Sequence, residues 1–239
     1  MKNTLKKILY FSIGLNILLL ALLVKPYWND FLVDANIPPY LKNKIYVMKT
    51  SNYKVYKTTK AYIVMLGDSI TQGVDWHELL GRNDIINRGI AGDYSEGMLN
   101  RLHYIYSLHP KYVFIMGGIN DIRHHVLTPN EIAKNYDKMI SALKNRNIKP
   151  VITSTLYVAP TEKKHKKING NVDQLNALLK EIANEKGIPF IDLNSKLAKG
   201  NSLNPKYTVD GIHLLGNAYR IWGNEIEKVL KKMEAESDI

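Results

Sequence analysis

The stretch that decides the fold reads Ala61-Tyr-Ile-Val-Met-Leu-Gly67-Asp68-Ser69-Ile70-Thr71. Its apolar part, Tyr62–Leu66, shows no alternation of polar and apolar residues, which is typical of a strand buried on both faces of a parallel sheet. A turn that carries a serine follows at once. Four other short apolar runs predict further strands, at Asp84–Ile86, Tyr112–Met116, Val151–Leu156 and Phe190–Asp192.

Amphipathic segments separate these runs. Apolar residues at helical spacing predict helices around Leu99–Tyr106, over Pro129–Arg146 and Val172–Lys186, and along Tyr219–Leu230. The alternation predicts an α/β fold, a three-layer, doubly wound parallel sheet whose ligand crevice lies at the carboxyl ends of the strands. The polar turns after the first three strands should therefore meet at one edge; they are Gly67–Ser69, Gly89–Gly92 and Gly118–Asp121.

The N-terminal segment predicts a membrane anchor. Lysines at positions 2, 6 and 7 precede the apolar stretch Ile8–Val24, whose length is near the lower limit of about 17 residues for a spanning helix. The lysines favour a cytoplasmic N-terminus, so we expect an uncleaved single-pass signal anchor with the catalytic domain extracytoplasmic. The alternative is a signal peptide cleaved after Val33-Asp-Ala35, which would give a secreted protein.

The rest of the chain is long enough for one packed domain. Of the 239 residues, 45% are hydrophobic, which supports a sizeable core. We predict an anchor over residues 1–24, a polar connector over 25–60, a domain over 61–233 and a tail over 234–239. The sequence contains no cysteine, which excludes disulfides and thiolate metal sites.

The net charge of +11 raises the question of an anionic partner. Most lysines are scattered and no basic motif with interleaved aromatic residues occurs, which argues against nucleic acid. The densest run is Lys163-Lys-His-Lys-Lys167. We interpret this run as a solvated loop, with an anionic membrane or polymer surface as the alternative.

Two polar clusters, far apart in the sequence, supply the residue types of nucleophilic catalysis. Ser69 needs a base, and His213 is the candidate, with Asp210 three residues earlier to hold its Nδ1–H. The backbone N–H groups of Ser69 and Gly92 and the side-chain amide of Asn120 are candidate donors to an oxyanion. Together these parts predict a serine esterase.

Four blocks of the sequence resemble the signature blocks of the SGNH (GDSL-type) hydrolases. They are Gly67-Asp-Ser-Ile70, Gly92, Gly118-Ile-Asn-Asp121 and Asp210-Gly-Ile-His213. The resemblance implies the flavodoxin-like fold of that family and gives its four name residues as Ser69, Gly92, Asn120 and His213. Ile70 replaces the leucine of the usual motif, a conservative apolar change. The Gly-x-Ser-x-Gly elbow of α/β-hydrolases is missing.

The family resemblance also narrows the expected chemistry. The stretch Asn87–Asp93 is similar to members related to platelet-activating-factor acetylhydrolase and to bacterial carbohydrate acetylesterases. We therefore expect hydrolysis of a short acyl ester, an acetyl group on a carbohydrate or cell-envelope substrate, without a metal or organic cofactor. A lysophospholipid or other lipid ester, and acyl transfer by the same residues, remain as alternatives.

Aromatic side chains near the first two blocks are candidates for the substrate pocket. They are Trp76, His77 and Tyr94, and ordinary packing is the alternative for each of them. The adjacent pair His124-His125 lacks further ligands at the usual spacing, which argues against a metal site.

Overall fold

A computed structural model describes residues 37–236, together with Lys6, Tyr10, Ile13, Asn16, Leu20 and Leu23. The chain divides into two compact units, Met1–Lys42 and Asn43–Ile239. None of the helices formed by the described residues is both long and apolar enough to cross a membrane. Most of Ile8–Val24 lies outside the described residues, so the anchor stays a prediction.

The second unit is built on five parallel strands in the order β2-β1-β3-β4-β5. The strands are β1 Ile63–Gly67, β2 Ile85–Gly89, β3 Tyr112–Met116, β4 Lys149–Thr153 and β5 Phe190–Ile191. Every residue of β1 and β3 is buried, which requires cover on both faces of the sheet. The predicted three-layer α/β/α fold with a parallel sheet is confirmed.

Helices form the outer layers and the turns of the crevice. Among residues 37–236 the helices are, in chain order, α1 Pro39–Lys42 in the first unit and, in the second unit, α2 Lys44–Tyr53, α3 Ser69–Gln72, α4 Trp76–Leu80, α5 Ser95–Asn100, α6 His103–Tyr106, α7 Ile119–Arg123, α8 Pro129–Lys144, α9 His165–Lys186, α10 Asn194–Leu197 and α11 Gly216–Ala235, with a 3₁₀ helix at Pro205–Tyr207. The longest, α9, begins seven residues before the predicted Val172, because buried Ile168 extends the apolar stripe by one turn.

Strand β4 ends earlier than predicted, at Thr153 instead of Leu156. Beyond that point side-chain amides replace the strand ladder. Asn176 bonds both the backbone N–H and the C=O of Thr155, and Asn194 also donates to that C=O. The backbone groups are thus satisfied without a neighbouring strand, and the chain is free to turn over the sheet edge.

Within the segment predicted as a connector, α2 packs against the domain. Asn43 caps α2 by accepting from the N–H groups of Ile45 and Tyr46, and its Nδ2 donates to Ala91 O at 2.8 Å. Near the other end of α2, the Arg88 guanidinium lies 4.4 Å from the centre of the Tyr53 ring. This helix therefore supports β2 and the loop that follows it.

Candidate active site

Ser69 stands where β1 turns sharply into α3. At Gly67, a Cβ atom would lie 2.3 Å from Met116 O and 2.1 Å from Thr71 Oγ1, so only glycine fits this close approach. Asp68 then caps α3 by accepting from Ile70 N–H at 2.9 Å. Ile70 itself is buried, so this position takes an apolar side chain, which the leucine of the usual motif also has. The turn presents the Ser69 hydroxyl at the carboxyl edge of the sheet.

The structure brings Ser69, His213 and Asp210 together in one hydrogen-bonded row. His213 Nε2 lies 2.9 Å from Ser69 Oγ, and His213 Nδ1 lies 2.6 Å from Asp210 Oδ2. The other carboxylate oxygen of Asp210 accepts from the backbone N–H groups of Ile212 and His213. A neutral imidazole held in this way can accept the serine proton.

Asp210 is kept ionised by its hydrogen bonds. Burial acts to raise its pKa, but the bonds from His213 and Ile212 outweigh that effect and lower the pKa to about 2. The carboxylate is therefore charged at any pH at which an esterase works, and it favours the imidazole tautomer that carries the proton on Nδ1.

A tight loop fixes His213 in this orientation. Thr208 Oγ1 donates to His213 O at 2.8 Å and accepts from Gly211 N–H at 2.9 Å. A further hydrogen bond comes from the β4–α9 loop, where Ala159 N–H donates to Gly211 O at 2.8 Å. The Asp210–His213 segment is thus held from two sides.

Three candidate donors belong to the turns that follow β1, β2 and β3. Within residues 37–236, the backbone N–H groups of Ser69 and Gly92 have no protein acceptor. Asn120 Nδ2 donates to Asp93 O at 3.0 Å, and a carboxamide has a second N–H to offer. Gly92 has φ +71°, a left-handed conformation that favours glycine. The set can serve a developing oxyanion.

Arg101 is the most important residue of the site that the sequence analysis did not single out. Its side chain is 1% exposed, and it donates to the Asp93 carboxylate at 2.8 Å, to Arg88 O at 2.6 Å and to Gly67 O at 2.8 Å. One guanidinium therefore ties the ends of β1 and β2 to the loop that carries Gly92. The available signal was a charged residue inside the apolar stripe Leu99–Tyr106.

Three buried carboxylic acids surround these turns. Burial is the main cause that raises the pKa of Asp68 to about 7, of Asp93 to about 6 and of Asp121 to about 7. Arg101 partly opposes this effect at Asp93, and the N–H and hydroxyl of Ser95 do so at Asp121. All three acids therefore titrate near neutral pH rather than near pH 4.

The three pocket candidates have different surroundings. Trp76 is only 1% exposed, packs edge-on against Trp222 at 4.7 Å and donates to Thr71 O, so it is a core residue and does not line a pocket. His77 is exposed and lies near Asp84, whose pKa is lowered mainly by Arg82 and slightly by His77. Because Asp84 precedes β2, His77 lies towards the opposite edge of the sheet.

Tyr94 is the candidate that lies beside the crevice. It follows Asp93 directly, and its hydroxyl is 3.0 Å from Nδ1 of His124, at the end of the helix that carries Asn120.

In the described part of the chain, no group of three or more His, Asp and Glu side chains is placed to hold a metal ion.

Comparison with known proteins shows what the chain is similar to. Residues 65–221 match the GDSL-like Lipase/Acylhydrolase family. The chain is 27% identical over 172 residues to the isoamyl acetate-hydrolyzing esterase of Saccharomyces cerevisiae, covering 65% of this chain and 72% of the yeast protein. It is 30% identical over 176 residues to an Escherichia coli N-acylneuraminate cytidylyltransferase, covering 71% of this chain but 40% of that protein.

A solved structure shares the fold over the same region. It is a GDSL-like lipase from Bacteroides thetaiotaomicron, with a TM-score of 0.69 and 27% identity, covering 79% of this chain and 98% of that one. The family match over two thirds of the sequence, the esterase relative and the common fold agree with one another. The chain belongs to the GDSL-like lipase/acylhydrolase family and is a carboxylic ester hydrolase.

Proposed function

We propose that this protein hydrolyses a short-chain ester, an acetyl group on a carbohydrate or cell-envelope substrate, by a Ser-His-Asp mechanism. Ser69 is the nucleophile, His213 the base, and Asp210 the carboxylate that orients the imidazole. The observation that carries the proposal is the 2.9 Å distance between His213 Nε2 and Ser69 Oγ, which is within reach for proton transfer.

The reaction has two halves. Ser69 Oγ attacks the ester carbonyl while its proton passes to His213 Nε2, and the negative oxygen of the tetrahedral intermediate accepts from Ser69 N–H, Gly92 N–H and Asn120. The C–O bond to the alcohol then breaks, and His213 returns the proton to the leaving oxygen. Water repeats the sequence on the acyl-serine, releasing the carboxylic acid and restoring Ser69.

The proposed short acyl group is inferred from the yeast relative and from the family. That relative, 27% identical to this chain, is an esterase that hydrolyses isoamyl acetate, an ester with a two-carbon acyl group. The predicted extracytoplasmic position favours a substrate of the cell envelope. A lipid ester and an acyltransferase reaction are the rival functions, and both can be separated from acetyl hydrolysis by experiment.

The test is a comparison of the purified chain with Ser69→Ala and with Ser107→Ala as a matched control. Ser107 is an exposed serine after α6, at the opposite edge of the sheet. Wild type and Ser107→Ala should hydrolyse nitrophenyl acetate and acetylated sugars, and a fluorophosphonate should label Ser69 in both. Ser69→Ala should lose several orders of magnitude in kcat.

Two results would contradict the proposal. Turnover by Ser69→Ala at the wild-type rate would remove Ser69 as the nucleophile. A kcat/KM that increases steadily with acyl length towards long-chain esters would favour the lipid ester, and transfer of acetyl to a sugar faster than to water would favour the acyltransferase.

A further inference from the structure

Six exposed lysines lie in segments next to the loop that carries His213. We call them the basic rim: Lys163, Lys164, Lys166, Lys167, Lys199 and Lys206. In the part of the chain spanning residues 37–236, none of these six forms a salt bridge with a carboxylate. The rim therefore holds positive charge that the protein itself does not neutralise.

The first four lysines begin directly beside the catalytic loop. Ala159 N–H donates to Gly211 O, and a Cβ on Gly211 would lie 2.6 Å from Thr161 Oγ1 and 3.8 Å from Glu162 N. Thr161 and Glu162 thus pack against the residue that follows Asp210. Lys163 is the next residue in the chain, so the lysine run starts beside the loop that carries Asp210 and His213.

The other two lysines lie on segments that border α9 and the catalytic loop. Asn169 is buried and donates to Asn201 O at 2.8 Å, which fixes the segment containing Lys199 against the first turns of α9. Lys166 lies on the same face of α9, one turn before Asn169. Lys206 is in the 3₁₀ helix that leads into the catalytic loop.

The carboxylates around the rim offset only part of its charge. Glu162 pairs with Arg123 at 2.9 Å, whereas the partner of Asp210 is a neutral imidazole, so Asp210 keeps its negative charge. Asp173 and Asp192, which line one pocket with Ala198 and Gly200, form no salt bridge among the described residues. Six exposed lysines outnumber these carboxylates, so the rim keeps a net positive charge next to the catalytic loop, and such a charge attracts anions. Six charges spread along three segments suit a chain of regularly spaced anions better than one small anion.

A lipid surface fits this side of the crevice less well than a soluble polymer. In the described stretch 157–217, the large apolar side chains that are exposed are Val209 and Leu215. A helix or loop that enters a membrane needs an apolar face, and two separate side chains do not provide one.

We propose that the natural substrate is an acyl ester on an anionic glycopolymer, whose phosphate or carboxylate groups are bound by the basic rim while the ester carbonyl reaches Ser69. This inference rests on the proposed esterase function and names the class of its substrate. The rim determines specificity; Ser69, His213 and Asp210 perform the chemistry on any ester that reaches them.

The test compares two polymers with the same acetyl content, O-acetylated polygalacturonate, which is anionic, and O-acetylated dextran, which is neutral. For the full chain in neutral detergent, the ratio of kcat/KM on the anionic polymer to kcat/KM on the neutral one should fall about tenfold when salt is raised. The combined substitutions Lys163→Gln, Lys164→Gln, Lys166→Gln and Lys167→Gln should lower this ratio by about the same factor, through KM.

A matched control removes four exposed lysines from α8 and α11, by Lys138→Gln, Lys228→Gln, Lys231→Gln and Lys232→Gln, and should keep the wild-type ratio. Polygalacturonate without acetyl groups should compete with the substrate for wild type and much less for the rim variant. An equal ratio in wild type and rim variant would overturn the inference. Inhibition by phosphatidylglycerol vesicles but not by polygalacturonate would overturn the polymer assignment. Failure to hydrolyse either polymer or nitrophenyl acetate would overturn the proposed function with it.

Discussion

The variant Asn120→Ala tests whether the Asn120 amide donates to the oxyanion or only stabilises the fold. In the structure, Asn120 is 6% exposed and its amide makes one protein hydrogen bond, to Asp93 O at 3.0 Å. Loss of that bond should lower the free energy of unfolding by about 1 kcal/mol. Loss of an oxyanion donor, by contrast, costs about 3 kcal/mol in the transition state, or roughly a hundredfold in kcat.

Asn194→Ala provides the opposite case. Asn194 is 8% exposed, and its amide accepts from Tyr157 N–H at 3.0 Å and donates to Thr155 O at 2.8 Å; among the described residues it has no hydrogen bond to Ser69, His213 or Asp210. Its removal should reduce stability by about 2 kcal/mol, since two bonds are lost, with kcat retained. The two alanine variants should therefore show inverse patterns.

The assay measures kcat and KM on nitrophenyl acetate and the urea unfolding of each variant. For Asn120→Ala we expect the fall in kcat with KM little changed, because charge on the carbonyl oxygen develops only in the transition state. Asn120→Asp should be slower still, since a carboxylate repels the oxyanion. The reasoning is wrong if Asn120→Ala loses stability as Asn194→Ala does while its kcat stays near the wild-type value.

Three further outcomes can be measured. In Arg101→Met the Asp93 carboxylate stays buried without its partner. The free energy of unfolding should therefore fall by about 3–5 kcal/mol at pH 8, and by less at pH 5, where Asp93 is protonated. Equal losses at both pH values would contradict this. Asp68 and Asp121 have native pKa values raised to about 7, so the native state binds more protons than the unfolded one, and the free energy of unfolding should fall as pH rises from about 4 to 7. A flat profile would exclude this. Finally, protease added to intact spheroplasts should degrade the domain beyond Lys25; protection until lysis would refute the predicted topology, and a shortened protein in the medium would indicate cleavage.

The sequence predicted the sheet and the order of its turns because these depend on short-range patterns. An unbroken apolar run such as Tyr112–Met116 has few alternatives to a buried parallel strand, and its predicted bounds agree with β3. Turn residues after each run then identify the crevice edge. The positions of Ser69, Gly92 and Asn120 at that edge follow from the alternation of strands and helices, without knowledge of any distance.

What the sequence could not decide depends on contacts between distant segments. His213 follows Ser69 by 144 positions, which gives no distance between their side chains; only the fold sets Nε2 and Oγ 2.9 Å apart. Arg101 is polar inside an apolar stripe, and its burial becomes intelligible only with Gly67 O, 34 positions earlier, as its acceptor. Trp76 follows the serine turn closely, yet α11 covers it with Trp222. Local sequence pattern determined which groups reach the sheet edge. Tertiary packing decided which of them face one another, because the partners of a side chain come from the whole chain and not only from its neighbours in sequence.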